Sequence, residues 1–143
     1  MTDLDLPDVN VVVALLNPGH VFHSIALQWF ISTSQFSTTP ITEAGFIRVS
    51  LNPALSGTAL QLSDILASLA SLRSDKRWIF LLDDSSLIDP AVDLVGLVGH
   101  KQATDFHLVN LAAKHDAKLI TLDSKISGSL TPTDQQYIMS LLR

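Results

Sequence analysis

The stretch from Gly99 to Asp123, GHKQATDFHLVNLAAKHDAKLITLD, constrains the fold more than any other part of the chain. Phe106, Leu108, Val109, Leu111, Ala112 and Ala113 recur with a period near 3.6, the mark of a helix with one buried face. Leu119 to Leu122 then predicts a short buried strand, with Lys114 to Lys118 as the turn between them. An acid stands at each functional end. Asp105 falls in the first helical turn, just after Thr104, and Asp123 at the carboxyl end of the strand. In open α/β sheets ligands bind in the crevice outside the carboxyl ends of the strands. Two carboxylates aimed there need a cation or a shared proton to coexist.

The rest of the chain repeats this alternation. Asp3 to Leu6 predicts a first strand that meets Pro7 and ends near Asp8; the apolar run Val9 to Leu16 could by residue type be a buried strand, but its length and place after Asp8 favour a helix. Asn17-Pro18-Gly19 is a turn. His20 to Ser32 carries Phe22, Ile25, Ala26, Trp29 and Phe30 on one stripe of an amphipathic helix. Phe36 to Thr39 is a strand that Pro40 is expected to end. Thr42 is the expected N-cap of the next helix, with Glu43 in its first turn. That helix continues to Leu51, where Asn52-Pro53 stops it. After a loop at Ser56-Gly57, the leucines between Thr58 and Arg73 predict another helix. Trp78 to Leu82 reads as a strand ending in Asp83-Asp84, with Ser85 or Ser86 capping a helix through Ala91 to Val95. Gly96 and Gly99 mark a loop, Ser127-Gly128-Ser129 another, and Tyr137 to Leu142 a last strand or helical turn. Alternating strands and helices imply a parallel sheet covered by helices on both faces.

A chain of 143 residues is expected to form one domain spanning 1–143. Its apolar content of 47% is high for a small soluble monomer, so a partner is expected to cover some apolar surface. The longest apolar run, Val11 to Leu16, is far too short for a transmembrane helix. Acids at Asp3 and Asp5 occupy the place where a signal peptide carries bases. The absence of cysteine excludes disulfides and thiolate metal sites, and a reducing cytoplasm is the natural compartment. A net charge of −5 argues against a simple basic nucleic-acid binder, but not against a nuclease whose cation supplies the positive charge locally.

Four acids share one kind of address. Asp8 and Asp123 follow strands, while Glu43 and Asp105 open helices, and in a parallel sheet these positions lie on one edge. Taken singly, each reads more readily as a helix cap or turn former, and spacing alone does not decide. Taken together, hard oxygen ligands suit Mg²⁺ or Mn²⁺.

Three segments carry a family resemblance: LPDVNVVVALLNPGHVFH at 6–23, TTPITEAGFIRVSLNP at 38–53, and the organising stretch at 99–123. The chain resembles a PIN-domain ribonuclease, most of all the toxin of a VapBC toxin–antitoxin pair. The resemblance implies an α/β/α sandwich with a central parallel sheet and Mg²⁺- or Mn²⁺-dependent cleavage of RNA. It also implies a neighbour-encoded antitoxin as partner and a two-fold homodimer. Asp8, Glu43, Asp105 and Asp123 match the family's acids in order. Asn10 and Thr104 match places where similar proteins orient carboxylates or water, and each reads equally well as a backbone-bonding polar residue near a helix start. Ser124-Lys125-Ile126 lacks the further acid that some relatives carry.

Other features carry less. His20 and His23 share a helix face but lack the third ligand and the HExxH pattern of a zinc site. His100, His107 and His115 read as surface or structural histidines, and Asp83-Asp84 as a turn with a helix cap. Arg48 is a solvated arginine by default, with an RNA phosphate as its other reading. No nucleophile elbow or phosphate-cradling glycine loop is present. The main rival is a non-catalytic PIN-like interaction module. A phosphatase of the DxD kind is less favoured, since Asp8-Val9-Asn10 lacks the second acid.

Overall fold

The computed structural model describes residues 3–56 and 60–142. Five strands form one sheet in the order β3-β2-β1-β4-β5, every pairing parallel. They are β1 (Leu4–Pro7), β2 (Gln35–Thr38), β3 (Trp78–Phe80), β4 (Lys118–Thr121) and β5 (Ile138–Ser140). The helices are α1 (Val9–Leu16), α2 (His23–Ser32), α3 (Pro40–Leu51), α4 (Pro53–Ser56), α5 (Leu62–Arg73), α6 (Ala103–Lys114) and α7 (Lys125–Ser129). Short 3₁₀ turns precede α6 at His100–Gln102 and β5 at Asp134–Tyr137. The expected α/β/α arrangement is therefore observed.

The strand pleat explains the layering. Successive side chains point to opposite faces, so Leu119 joins one core and Ile120 the other, both fully buried. Leu4 and Leu6 pack with Leu119 against Phe106, Leu108, Val109 and Leu111 of α6. On the opposite face Phe36 and Ile120 pack under Val11, Val12 and Ala14 of α1, Trp29 of α2, Phe46 of α3 and Ile65 and Leu69 of α5. Near-continuous apolar strands are what a sheet covered on both faces requires.

One glycine sets how closely two helices approach. A Cβ on Gly45 of α3 would stand 2.5 Å from Val9 Cγ2 of α1. Because Val has a stiff χ1, only Gly allows α3 to lie this close, and the contact draws the starts of α1 and α3 together.

Several boundaries differ from expectation. Thr39, not Thr42, is the N-cap of α3, and Pro40 opens that helix instead of merely ending the strand. Thr42 Oγ1 accepts the Thr39 N–H and donates to the Thr39 carbonyl, each at 3.1 Å. α2 begins at His23 instead of His20, because His20 Nδ1 accepts the Phe22 N–H and holds a turn. α5 begins at Leu62, and the expected start at Thr58 lies outside the described residues. Ser127 to Ser129 belongs to α7. Of the two readings for the last apolar run, the strand is right.

The largest correction is the segment 81–99, which contains no helix or strand. Its backbone is satisfied from a distance instead. The Ala91 N–H donates to Asn110 Oδ1 at 2.6 Å and the Asp93 N–H to Asp134 Oδ2 at 2.8 Å. Leu81 and Val92 drop individually into the α6-side core. Asp83 and Asp84 cap no helix; they pair with His107 of α6 and with His115 just past its end, at 2.6 and 2.7 Å. A Cβ on Gly96 would stand 1.8 Å from the Ser129 carbonyl oxygen, so the segment presses directly on α7. No helix among the described residues is long and apolar enough to cross a membrane.

Candidate active site

Asp8 follows β1 and caps α1. Its Oδ1 accepts the Val9 N–H at 2.7 Å, and its own N–H donates to the Ile120 carbonyl at 2.7 Å, which ties the end of β1 to β4. The hub beside it is Thr121, the last residue of β4, which is fully buried. Thr121 Oγ1 donates to Asp8 Oδ2 at 3.3 Å and accepts the Asp123 N–H at 3.0 Å and Asn10 Nδ2 at 3.3 Å. One donor and two acceptors exhaust a hydroxyl. Asn10 Oδ1 also accepts the Leu122 N–H at 3.1 Å. Asn10 thus fixes the backbone that leads to Asp123, the backbone-bonding reading of its two expected roles. Thr104, expected to act similarly, is exposed at the start of α6.

Asp105 stands half-buried in the first turn of α6. Burial, then the negative charges of Asp8 and Asp123, push its carboxyl up to about 6. Burial also raises Asp8, with Asp123 adding to the effect, while the Val9 N–H and the Thr121 hydroxyl pull the other way. Asp8, Asp105 and Asp123 are thus one electrostatic group at the carboxyl edge of β1 and β4.

Glu43 belongs to a different circuit. It lies in the first turn of α3, and its Oε2 accepts the Thr38 hydroxyl at 2.5 Å. Thr38 Oγ1 in turn accepts the indole N–H of Trp78 at 2.9 Å. Glu43 Oε1 accepts from the Arg73 guanidinium at 3.3 Å. Arg73 lies over the Trp78 ring at 4.3 Å and over Phe80 at 5.3 Å, which closes a loop of four side chains. The structure therefore brings Asp8, Asp105 and Asp123 into one charged group and gives Glu43 its own cation. Sequence reasoning missed both Thr121 and Arg73. Thr121 reads as an ordinary strand residue, and Arg73 as the last turn of a solvated helix.

Among the described residues, no group of three or more acids or histidines is arranged to hold a metal ion. The donor set still fits a hard divalent cation, because Mg²⁺ keeps several waters and needs only one or two carboxylates directly. Burial first, and neighbouring carboxylates second, raise Asp8 and Asp105, a situation that a cation would relieve. His20 and His23 do not form a metal pair, since His23 Nδ1 bonds the Ala14 carbonyl at 2.9 Å.

Beside Asp8 a groove of ≈ 660 Å³ runs between α1, α3 and α5, lined by Asn10, Val13, Phe46, Leu55, Leu60 and Ile65 among others. Leu51, Leu62 and Leu66 lie exposed on the same helices. This is a contiguous apolar surface opening onto the acidic edge.

No protein-family model matches the chain. Individual relatives do. Ribonuclease VapC38 of Mycobacterium tuberculosis is 41% identical over 123 residues, which cover 85% of this chain and 86% of the relative. Ribonuclease VapC39 of the same species is 39% identical, with coverage of 87% and 91%. The crystal structure of M. tuberculosis VapC20, described as a sarcin–ricin loop cleaving toxin, superposes with a TM-score of 0.63 over 87% of this chain and 94% of that one. At 16% identity that likeness establishes the fold, whereas the curated relatives, matched almost end to end, establish descent: the chain belongs to the VapC ribonucleases, the PIN-domain toxins.

Proposed function

We propose that the chain is the toxin of a type II toxin–antitoxin pair, an endoribonuclease that hydrolyses RNA phosphodiesters with a carboxylate-held Mg²⁺ or Mn²⁺. The observation that carries this reading is the group of Asp8, Asp105 and Asp123, two of whose carboxyls are raised by burial and by one another's charge. Such a group favours a divalent ion at the carboxyl edge of the sheet. Asp8 and Asp105 would hold the metal, with Asp123 and Glu43 contributing directly or through water. When bound, the ion supplies a water of lowered pKa and positive charge beside a phosphodiester oxygen.

This chain's own residues do the rest. Thr121 holds the Asp8 carboxylate and the Asp123 backbone in one register. Asn10 fixes the turn after β4. Thr38 and Arg73 hold Glu43 in one orientation. No covalent protein intermediate is needed, since no activated nucleophile stands in the site. The retained acids favour an enzyme over a purely interacting PIN-like module.

The apolar groove beside Asp8 suits a wrapped segment of an antitoxin, with leucine-like anchors in the groove and an Arg or Lys directed at the acids. Exposed apolar residues such as Val21, Ile31 and Leu66 favour a homodimer as well. A cytoplasmic protein acting on cellular RNA fits this reading. The test is RNA cleavage by the purified chain with Mg²⁺ or Mn²⁺ and after chelation. Cleavage that survives chelation, or an Asp8→Asn protein that still cuts at the wild-type rate, would overturn it.

A further inference from the structure

The chain carries a net charge of −5, and its candidate site is acidic, yet the substrate is a polyanion. Beyond any metal, a cation of the protein beside the site would add the phosphate contacts that supply most of the affinity for nucleic acid. We propose that Arg73 is the RNA-phosphate contact of this site, held ready by the face of Trp78 and by Glu43; the proposal rests on the ribonuclease reading above.

Three observations support it. First, Arg73 reaches the site itself. Its guanidinium bonds the Glu43 carboxylate at 3.3 Å, and Glu43 opens α3 beside the carboxyl end of β2. Second, it is placed and still accessible. The rings of Trp78 and Phe80 lie under it at 4.3 and 5.3 Å, while its side chain remains 42% exposed. A stacked guanidinium loses little rotamer freedom when it docks a planar or tetrahedral anion, and its fork matches phosphate oxygens. Third, it keeps donors to spare. The pair is a single contact at 3.3 Å made by one guanidinium nitrogen, so the remaining N–H donors of Arg73 can take a phosphate while Glu43 is kept.

Arg77 supplies the contrast. Its guanidinium also lies over a ring, Phe30, at 4.4 Å. But it is tied to both oxygens of Asp75 and to the Phe30 and Thr33 carbonyls, at 2.5 to 3.0 Å. That is a structural clamp between α2 and the start of β3. Arg73 instead points its charge at a site carboxylate. Trp78 also fixes that carboxylate through Thr38, so one indole sets both the cation and the acid.

The experiment measures kcat and KM for cleavage of a short single-stranded RNA of mixed sequence in Mn²⁺, across a range of KCl. It also measures binding of that RNA to a cleavage-deficient Asp105→Asn background, which reads affinity without turnover. Arg73→Gln should raise KM about tenfold, more than it lowers kcat, and weaken binding in the Asp105→Asn background by a similar factor. The slope of log(kcat/KM) against log[KCl] should become shallower by about 0.7, the value for one lost contact to a single strand. Arg73→Lys should restore the slope, because it keeps the charge, but only part of the affinity. Unchanged KM and slope in Arg73→Gln would overturn the proposal. So would a loss confined to kcat, which would assign Arg73 to holding Glu43. A wild-type chain that leaves RNA intact would instead overturn the ribonuclease reading, so the two failures are distinct.

Discussion

The two halves of the candidate site solve the same electrostatic problem differently. On the β1–β4 side, Asp8, Asp105 and Asp123 crowd together, and burial with mutual repulsion raises the first two. On the β2–β3 side, Glu43 is matched by Arg73 and by the Thr38 hydroxyl. The difference teaches that the demand for an external cation is one-sided. On the proposed reading a divalent ion completes the first half, whereas the second already has a side-chain cation in Arg73. Substitutions should therefore affect the halves unequally.

The largest contrast is in catalysis. Asp8→Asn or Asp105→Asn should reduce RNA cleavage to background while the circular dichroism spectrum keeps its native form. Glu43→Gln should leave measurable cleavage, because its carboxylate already has a cation in the protein. Equal and complete loss in all three would erase the distinction between the halves. Next comes the hub. Thr121→Val keeps the shape of the strand residue but removes the hydroxyl shared by Asp8, Asn10 and Asp123. Cleavage should fall about 10–100-fold, the usual cost of removing a group that orients metal ligands. Mn²⁺ affinity measured by calorimetry should fall in parallel.

A smaller effect concerns packing between the halves. Gly45→Ala drives a methyl group into Val9. Overpacking of this kind costs about 1–3 kcal/mol, measurable by urea denaturation, and it should separate Asp8 from Glu43 enough to lower activity as well.

The smallest expected effect is on pH-dependent stability of the metal-free protein. Asp105 has its carboxyl pushed up to about 6 from an ordinary 3.8. The folded state then binds this proton more tightly than the unfolded chain does. Its contribution is fully present below about pH 4 and is lost as pH rises through about 6. Chelated protein should lose stability across that window, and Asp105→Asn should flatten the profile. Added Mn²⁺ should restore stability at the high-pH end. A chelated wild type whose midpoint in denaturant rises between those pH values would contradict the crowding.

Much of this was legible in the sequence, and what was not has a physical reason. Asp8, Glu43, Asp105 and Asp123 stood out as candidates because each acid interrupts or opens an apolar pattern, and the family resemblance singled them out from ordinary helix caps. α1 was readable from VNVVVALL following an acid. Thr121 was not, since its importance depends on β1 lying beside β4, a neighbour relation between residues more than a hundred positions apart. Arg73 was hidden for the same reason, because its partners come from α3 and β3. The helix expected through Ala91 to Val95 failed differently. Serine caps and scattered apolar residues are local signals of a helix, but here Asn110, Asp134 and two α6-side histidines bid for the backbone and carboxylates of that segment, and those distant groups win.

That same segment has a consequence for the order in which the chain acquires its structure. Residues 81–99 have no hydrogen-bonded ladder of their own and depend on α6 and on Asp134 near the far end of the sequence. Until those groups are in place there is nothing to offset the entropy of ordering the segment. On the ribosome it emerges before Asn110, the α6-side histidines and Asp134, the distant groups that hold most of it. It will therefore wait, unstructured and open to proteases, until the last strand has been made, and hydrogen exchange during refolding should find its amides among the last to be protected.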